Sequence, residues 1–343
     1  MSHVSYKTIF IGRLDFGGEK TFDKVLRMSL TRIETFYKKD INLKEAEIFD
    51  PASSSLVLPR VIGQANEKTW NNTINLLEYA AQFALSGQIY AWWIDNGNVL
   101  QHFYIEPRTD KAAVQNYLEG RKLLKEPGGE REAIALLNQA IEKHEGHAMA
   151  FERRGHAHYM LHQFKESHQD YTQSIALDDK NPEPYVGRAT VRLVLNDLNG
   201  ALQDLTGAIQ NSLPIQPIYW RARRMKGEVH LKLNSPKEAI TEFRLFIKRN
   251  FPPGDPNYSS LHRTQLNYGR ALLDSGQFTE AIDAFNVAME NDPGKKEHSQ
   301  NAEPLVLRGI AMKRAGQSGF VSDWKAAADL GSEKAAALLA EIS

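Results

Sequence analysis

Five of the 11 histidines in this chain fall in one stretch, residues 144–162, which reads HEGHAMAFERRGHAHYMLH. Imidazoles beside carboxylates are the residue types that hold zinc or move protons in catalysis. His158 and His162 stand four apart, so on a helix they would share a face. The remainder of the pattern does not follow. HEGHA is not H-E-x-x-H, because its histidines are three apart, and a loop separates them from the later ones. Packing and surface roles fit this spacing better, with a weak metal site as the alternative. In the N-terminal third, Arg13, Asp15, Asp50 and Arg60 could meet in a cleft. IGRLDFGGEK places glycines after a strand but lacks the spacing of a phosphate loop. The absence of cysteine removes disulfides, thiolate zinc sites and cysteine nucleophiles. The expectation is no catalytic residue, no metal and no cofactor.

These residues have to be positioned by something. At 343 residues, two domains are the natural expectation. Lys plus Arg equals Asp plus Glu at 42 each, so the chain as a whole carries no uniform basic field for nucleic acid. MSHVSYKTIFIGRLDF does not have the form of a signal peptide, and no apolar run approaches the ~18 residues of a membrane span. A cytoplasmic protein is expected. Within residues 1–107, YKTIFIGRL reads as a strand and Lys20–Lys38 as an amphipathic helix carrying Phe22, Val25, Leu26, Leu30, Ile33 and Phe36. Strand-like AEIF and SLVLP follow, then a helix from NEKTW to about Ser86. QIYAWWID and NVLQHFYIE flank Asn96-Gly97, the dipeptide suited to a type I′ hairpin turn. The order predicted is β-α-β-β-α-β-β, an α+β domain of unrecognised family. Trp92 and Trp93 are adjacent in a strand, so one is expected in the core and the other partly exposed, as a docking feature.

Beyond Asp110 the strand signal ends and a repeat begins. Gly155, Ala189, Gly227 and Gly269 are each followed after 12 residues by Ser167, Ala201, Ala239 and Ala281, and four residues later by Tyr171, Leu205, Phe243 and Phe285. Gly120, Ala133 and Leu137 form the same set with one extra residue, in the turn EPGGE. The small residues lie at 120, 155, 189, 227, 269 and 309. This pattern resembles the tetratricopeptide repeat, and YGRALLDSGQFTEAIDAFNVAMENDP, ending at Pro293, matches it most fully. The resemblance covers about residues 111–343: six helix-turn-helix units, each with helices A and B, and a capping helix from LGSEKAAALLAEI. Long intervals at KRNFPPGDPNYSS and GKKEHSQNAEP imply extended helices or loops. In the sixth unit Trp324 arrives one place early.

The resemblance implies an all-α, right-handed superhelical solenoid whose helix A residues line a groove for partner peptides. The groove residues are then Arg121, Arg153, His156, Arg221, Arg224, Arg263, Asn267 and Arg270, flanked by Lys125, Thr190, Glu228, Lys313 and Arg314. Basic residues predominate, and an arginine fork suits carboxylates. The implied function is a non-enzymatic protein-interaction scaffold or adaptor that binds a partner peptide, with an acidic segment as the sharper form. The clamp that receives chaperone tails wants asparagine after the small residue of helix A. Here those places hold Arg121, His156, Thr190, Glu228, Arg270 and Ile310. One alternative is an enzyme or ligand sensor in the N-terminal domain, recruited or regulated through the repeats. Base reading by a related RNA-binding repeat is disfavoured by apolar groove positions at Val186, Leu266 and Val306. No nucleic acid or membrane partner is expected. The short run Pro107–Lys111 implies contact between the two parts.

Overall fold

A computed structural model describes residues 5–290 and 302–342. Pro293 and most of the GKKEHSQNAEP run lie outside the described residues. Two compact units, Met1–Val191 and Arg192–Ser343, make up the chain, and each is described by itself.

The first unit opens with β1 (Tyr6–Asp15), α1 (Glu19–Thr35), α2 (Glu45–Ile48), β2 (Phe49–Asp50), β3 (Ser55–Ala65), α3 (Glu67–Ala81), β4 (Ser86–Asp95) and β5 (Asn98–Ile105). The predicted order holds, except that AEIF is helical through Ile48 and only Phe49–Asp50 pairs, against Leu56 and Ser55. The sheet is antiparallel in the order β2-β3-β1-β4-β5. Asn96 and Gly97 both take positive φ, 46° and 85°, as a type I′ turn requires. The Asn66 side chain caps α3 by accepting from the Thr69 amide at 2.9 Å. Gly12 lies at a register shift between β1 and β3, and a Cβ there would stand 2.0 Å from the Gln88 carbonyl oxygen.

Strand alternation sorts the side chains. Phe10, Leu14, Ile89, Ala91, Trp93 and Ile105 join Phe22, Val25, Trp70, Ile74 and Leu77 of α1 and α3 in one core. Trp70 stacks on Trp93 at 6.0 Å and donates to Gln101 at 2.8 Å. Phe36 leaves this core: it lies past the end of α1 and is 73% exposed. Trp92 points to the opposite sheet face, yet it is 4% exposed against 7% for Trp93. The expected exposed tryptophan is therefore absent, because the second sheet face is covered too. Trp92 stacks between Tyr90 and His102, and β4 packs against α6, described next.

That cover comes from the first repeats. The first unit continues with α4 (Ala112–Leu123), α5 (Glu130–Lys143), α6 (Ala148–Met160), α7 (Phe164–Leu177) and most of α8 (Glu183–Val194), within whose last turn the unit boundary falls. Lys111 donates to the Phe83 carbonyl at 2.7 Å, and Arg13 reaches the Leu177 carbonyl at 3.3 Å.

The second unit holds α9 (Leu198–Gln210), α10 (Pro217–Lys232), α11 (Pro236–Lys248), α12 (Leu261–Asp274), α13 (Phe278–Glu290), α14 (Glu303–Arg314), α15 (Phe320–Asp329) and α16 (Glu333–Ala340). Helices A and B pack as pairs in α4/α5, α6/α7, α10/α11, α12/α13 and α14/α15. Three devices recur among these pairs. The small residue of helix A admits the aromatic of helix B: a Cβ on Gly227 or Gly269 would lie 2.6 or 2.5 Å from Phe243 or Phe285. Trp324, one place early in sequence, still fills this role, with its Nε1 2.3 Å from a Cβ on Gly309. The A–B turns contain a left-handed residue at Gly128, His162, Asn196, Asn234, Gly276 and Gly316, a conformation open mainly to Gly, Asn, Asp and His.

The third device is a buried charge. The residue before the small position is Arg154, Arg188, Lys226 or Arg308 in four of the units. Arg154 grips both Asp170 oxygens at 2.8 and 2.6 Å and donates to Asn138 of the preceding helix at 2.6 Å. Arg308 repeats this with Asp323 at 2.7 and 2.6 Å and Asn286 at 2.6 Å. Lys226 pairs with Glu242 at 3.2 Å, and Arg188 reaches Thr172 at 3.1 Å. One cation thus fastens neighbouring helices.

Alanine at Gly269 tests the packing device. Helix propensity alone would favour the change by about 1 kcal/mol, whereas forcing a methyl into the fully buried Phe285 ring costs about 1–3 kcal/mol. The expected outcome for Gly269→Ala is a net loss of about 1 kcal/mol, seen as a lower urea midpoint. A midpoint at or above that of the parent would refute the close-packing role.

Candidate functional site

The predicted groove residues divide between two places. In the first unit, Arg121 and Lys125 of α4 and its end, and Arg153 and His156 of α6, line a cavity of about 540 Å³. Its other wall is the second sheet face, with Gln88, Tyr90, Tyr104 and Glu106, and it is completed by Leu124, Met149, Glu152, Asn181 and Glu183. The sheet residues were not anticipated. Their signal was available in QIYAWWID, whose apolar side chains on both faces imply a strand covered on both sides.

The charges in this cavity come in pairs. Arg121 clamps Glu106 with two hydrogen bonds, at 2.6 and 3.0 Å, and its guanidinium lies 5.3 Å from the Tyr117 ring centre. The Glu106 bond is the main cause that holds Arg121 protonated well above its ordinary range. Arg153 meets Glu152 at 2.9 Å, but not in line for a hydrogen bond, so its Nε remains a buried donor without an aligned acceptor. The Glu152 charge raises the Arg153 pKa further. Tyr104 donates to Gln88 at 2.8 Å, and the Tyr90 and Tyr104 rings stand 5.1 Å apart. Burial keeps both phenols neutral well above the usual tyrosine range.

In the second unit, side chains of successive A helices meet on one face. Arg224 of α10 donates to Glu228 at 2.7 Å, and Arg263 of α12 stands 3.9 Å from the same carboxylate. Arg270 of α12 pairs with Glu303 of α14 and donates to Asn267 at 3.2 Å. Arg221 is exposed, while Asn267 is buried behind Arg270. The spacing therefore brought these residues together, although part of their charge is met by the chain's own glutamates. Lys313 lies over the Trp324 ring, and Arg314 is exposed. Val186, Leu266 and Val306, expected as apolar groove positions, are buried instead. They face the helix packing, so they are no argument about a groove.

The five histidines go to separate tasks. His147 caps α6 through Nδ1, which accepts from the Ala150 amide at 3.2 Å. His144 stands 3.5 Å from Asp15, His156 lines the cavity, and His162 is the left-handed turn residue. His158 contacts Gln163 at 2.6 Å and approaches Asp170 at 3.7 Å. Among the described residues, no group of three or more His, Asp or Glu side chains is arranged to hold a metal ion. The N-terminal polar residues are likewise held by structural bonds: Arg13 donates to Ser55 at 3.1 Å, Asp15 accepts from the Gly17 amide at 2.7 Å, and Asp50 accepts from Ser53 at 2.5 Å.

Together these features define an antiparallel α+β domain followed by a helical-repeat array. Residues 186–255 and 262–296 match the tetratricopeptide-repeat family model. The chain is 27% identical over 147 residues to human (Homo sapiens) tetratricopeptide repeat protein 6, which is 43% of this chain and only 25% of that protein. Two solved structures share the fold at 19% identity. YrrB, a TPR protein with an unusual peptide-binding site, aligns over 60% of this chain and 98% of its own with a TM-score of 0.52. Pseudomonas aeruginosa pilF aligns over 68% and 98% with a TM-score of 0.53. The family model thus accounts for residues 186–255 and 262–296, and the helical part of this chain shares the fold of these solved repeat proteins.

Proposed function

We propose that this chain is a non-enzymatic, cytoplasmic interaction scaffold, residues 1–107 being a module fused to repeats from 111 onward. A partner segment lies on the A-helix face of the second unit, and acidic segments are preferred. The observation that carries this reading is that Arg224 of α10 and Arg263 of α12 both approach Glu228, while Arg270 of α12 pairs with Glu303. With Arg221 beside them, cations on this face outnumber the two carboxylates, and the chain's own glutamates already use the arginines as a partner carboxylate would. Repeats of this family, and a related protein described by its peptide-binding site, are consistent with such a use.

The test is fluorescence anisotropy with labelled acidic, neutral and basic peptides of equal length on the full chain. The acidic peptide should bind best and weaken with added salt. A variant carrying Arg221→Gln and Arg263→Gln, the more exposed pair, should weaken it at least tenfold with unchanged circular dichroism. The same loss is expected for Arg221→Glu, Arg224→Glu and Arg270→Glu together. Binding indifferent to both variants would sink the reading. Capture of partners from cell extract with the same proteins would then identify the natural segment.

A second reading has its own observation: the cavity between the sheet and the first repeats favours a ligand-sensing N-terminal domain. Ligand-observed NMR with a mixture of small molecules tests it. Signals lost with the parent chain and restored in a variant of the lining would support it; none lost would end it.

A further inference from the structure

We infer that the cavity of the first unit takes a short zwitterionic peptide of two or three residues, with a free amine and a free carboxylate. This rests on the second reading above and specifies its ligand. The size is the first argument. About 540 Å³ falls within the ~300–1,000 Å³ of small-molecule sites, and a single amino acid would leave much of it unfilled.

Charge is the second argument. Glu106, Glu152 and Glu183 face Arg121, Lys125 and Arg153, so the formal charges of the lining cancel. The Arg121–Glu106 clamp is complete in itself. A ligand with net charge of either sign would enter a lining that offers no surplus to balance it. A zwitterion brings both signs and no net charge.

The third argument gives it an orientation. Arg153 is the one lining cation held by charge without an aligned bond at Nε, and 32% of its side chain remains exposed. Its outer edge, with Lys125 at the rim, suits the ligand carboxylate. The faces of Tyr90 and Tyr104 suit the ammonium, which is attracted by aromatic faces. Leu124 and Met149 provide the apolar wall for peptide side chains.

Isothermal titration of the full chain would use trialanine and a mixture of random tripeptides, each free, N-acetylated and C-amidated. Free peptides should bind, and either cap should weaken binding at least tenfold. The paired change Glu152→Gln with Arg153→Gln removes both charges at once, so neither is left buried alone. It should lower affinity at least tenfold while retaining a cooperative melt. If only C-amidation matters, the site takes the C-terminus of a partner protein and the zwitterion inference is overturned. If tripeptides fail while other small molecules show lining-dependent NMR signals, the inference falls and the ligand-sensing reading stands.

Discussion

Acidification from pH 7.5 to 5 is expected to cost the first unit about 2 kcal/mol through His147 alone. This imidazole is 1% exposed and caps α6 as an acceptor, a role open only to an unprotonated Nδ1. Burial, aided by the nearby His144, holds its pKa down at about 3, against the pull of Asp15. Between 6.5 and that value the unfolded chain carries a proton here that the folded one does not. Stability from His147 is therefore fully present above pH 6.5 and is lost by about 1.4 kcal/mol per unit as pH falls toward 3.

Neighbouring groups modify the curve at its acid end. Burial pushes the Asp15 carboxyl up, but the nearby His144 imidazole and the hydrogen bond from the Gly17 amide outweigh it and leave its pKa lowered, so its contribution too is lost in acid. Asp178, raised by burial, acts in the opposite sense. Urea melts from pH 4.5 to 8 provide the measurement. His147→Asn keeps a side-chain acceptor for the Ala150 amide and should flatten the slope between pH 5 and 6.5, even though losing the ring lowers stability overall. An unchanged slope would mean that other groups govern the acid sensitivity.

The second large effect is expected at Asp170, the anchor of the Arg154 clamp. The Asp170 and Arg154 side chains are 8% and 20% exposed, so deleting the carboxylate leaves a guanidinium largely removed from water. Breaking such a pair costs about 3–5 kcal/mol, a large share of the ~5–15 kcal/mol that keeps a domain folded. Asp170→Ala should therefore lower the thermal midpoint of the first unit steeply. Removing both charges, with Arg154→Met added, should cost less than Asp170→Ala alone, because the stranded charge is gone. Hydrogen exchange of α6 and α7 would locate the loss. A cost of the double change equal to the sum of the two single costs would show that the pair is not coupled.

The same clamp shows how much of the repeat was legible in advance. Gly155, Gly227 and Gly269, twelve residues before Ser167, Ala239 and Ala281, marked the helix pairs because close packing admits few residue types there. The left-handed turn also recurs in the sequence, at His162, Asn196 and Asn234, and the cation before the small residue recurs in four units, at Arg154, Arg188, Lys226 and Arg308. With the turn recognised, His162 loses its place as a candidate ligand. The hairpin at Asn96-Gly97 was legible for the same reason: the backbone conformation itself selects the residues.

What the amino-acid order determined by itself is what local geometry and short-range packing require: the strands, the hairpin, the helix pairs and the repeat frame. The A-helix arginines of the second unit share a face for that reason, since periodicity alone aligns Arg224, Arg263 and Arg270. The tertiary structure alone decided which groups stand opposite them. Arg121 is met by Glu106, just past the end of β5 and 15 residues earlier, and Arg153 and His156 face the tyrosines of β4 and β5 across a cavity. Trp92 is buried for the same reason. Such pairings depend on which sheet face the first repeats cover, a choice made by non-local burial of apolar surface and not written in the spacing of any one segment.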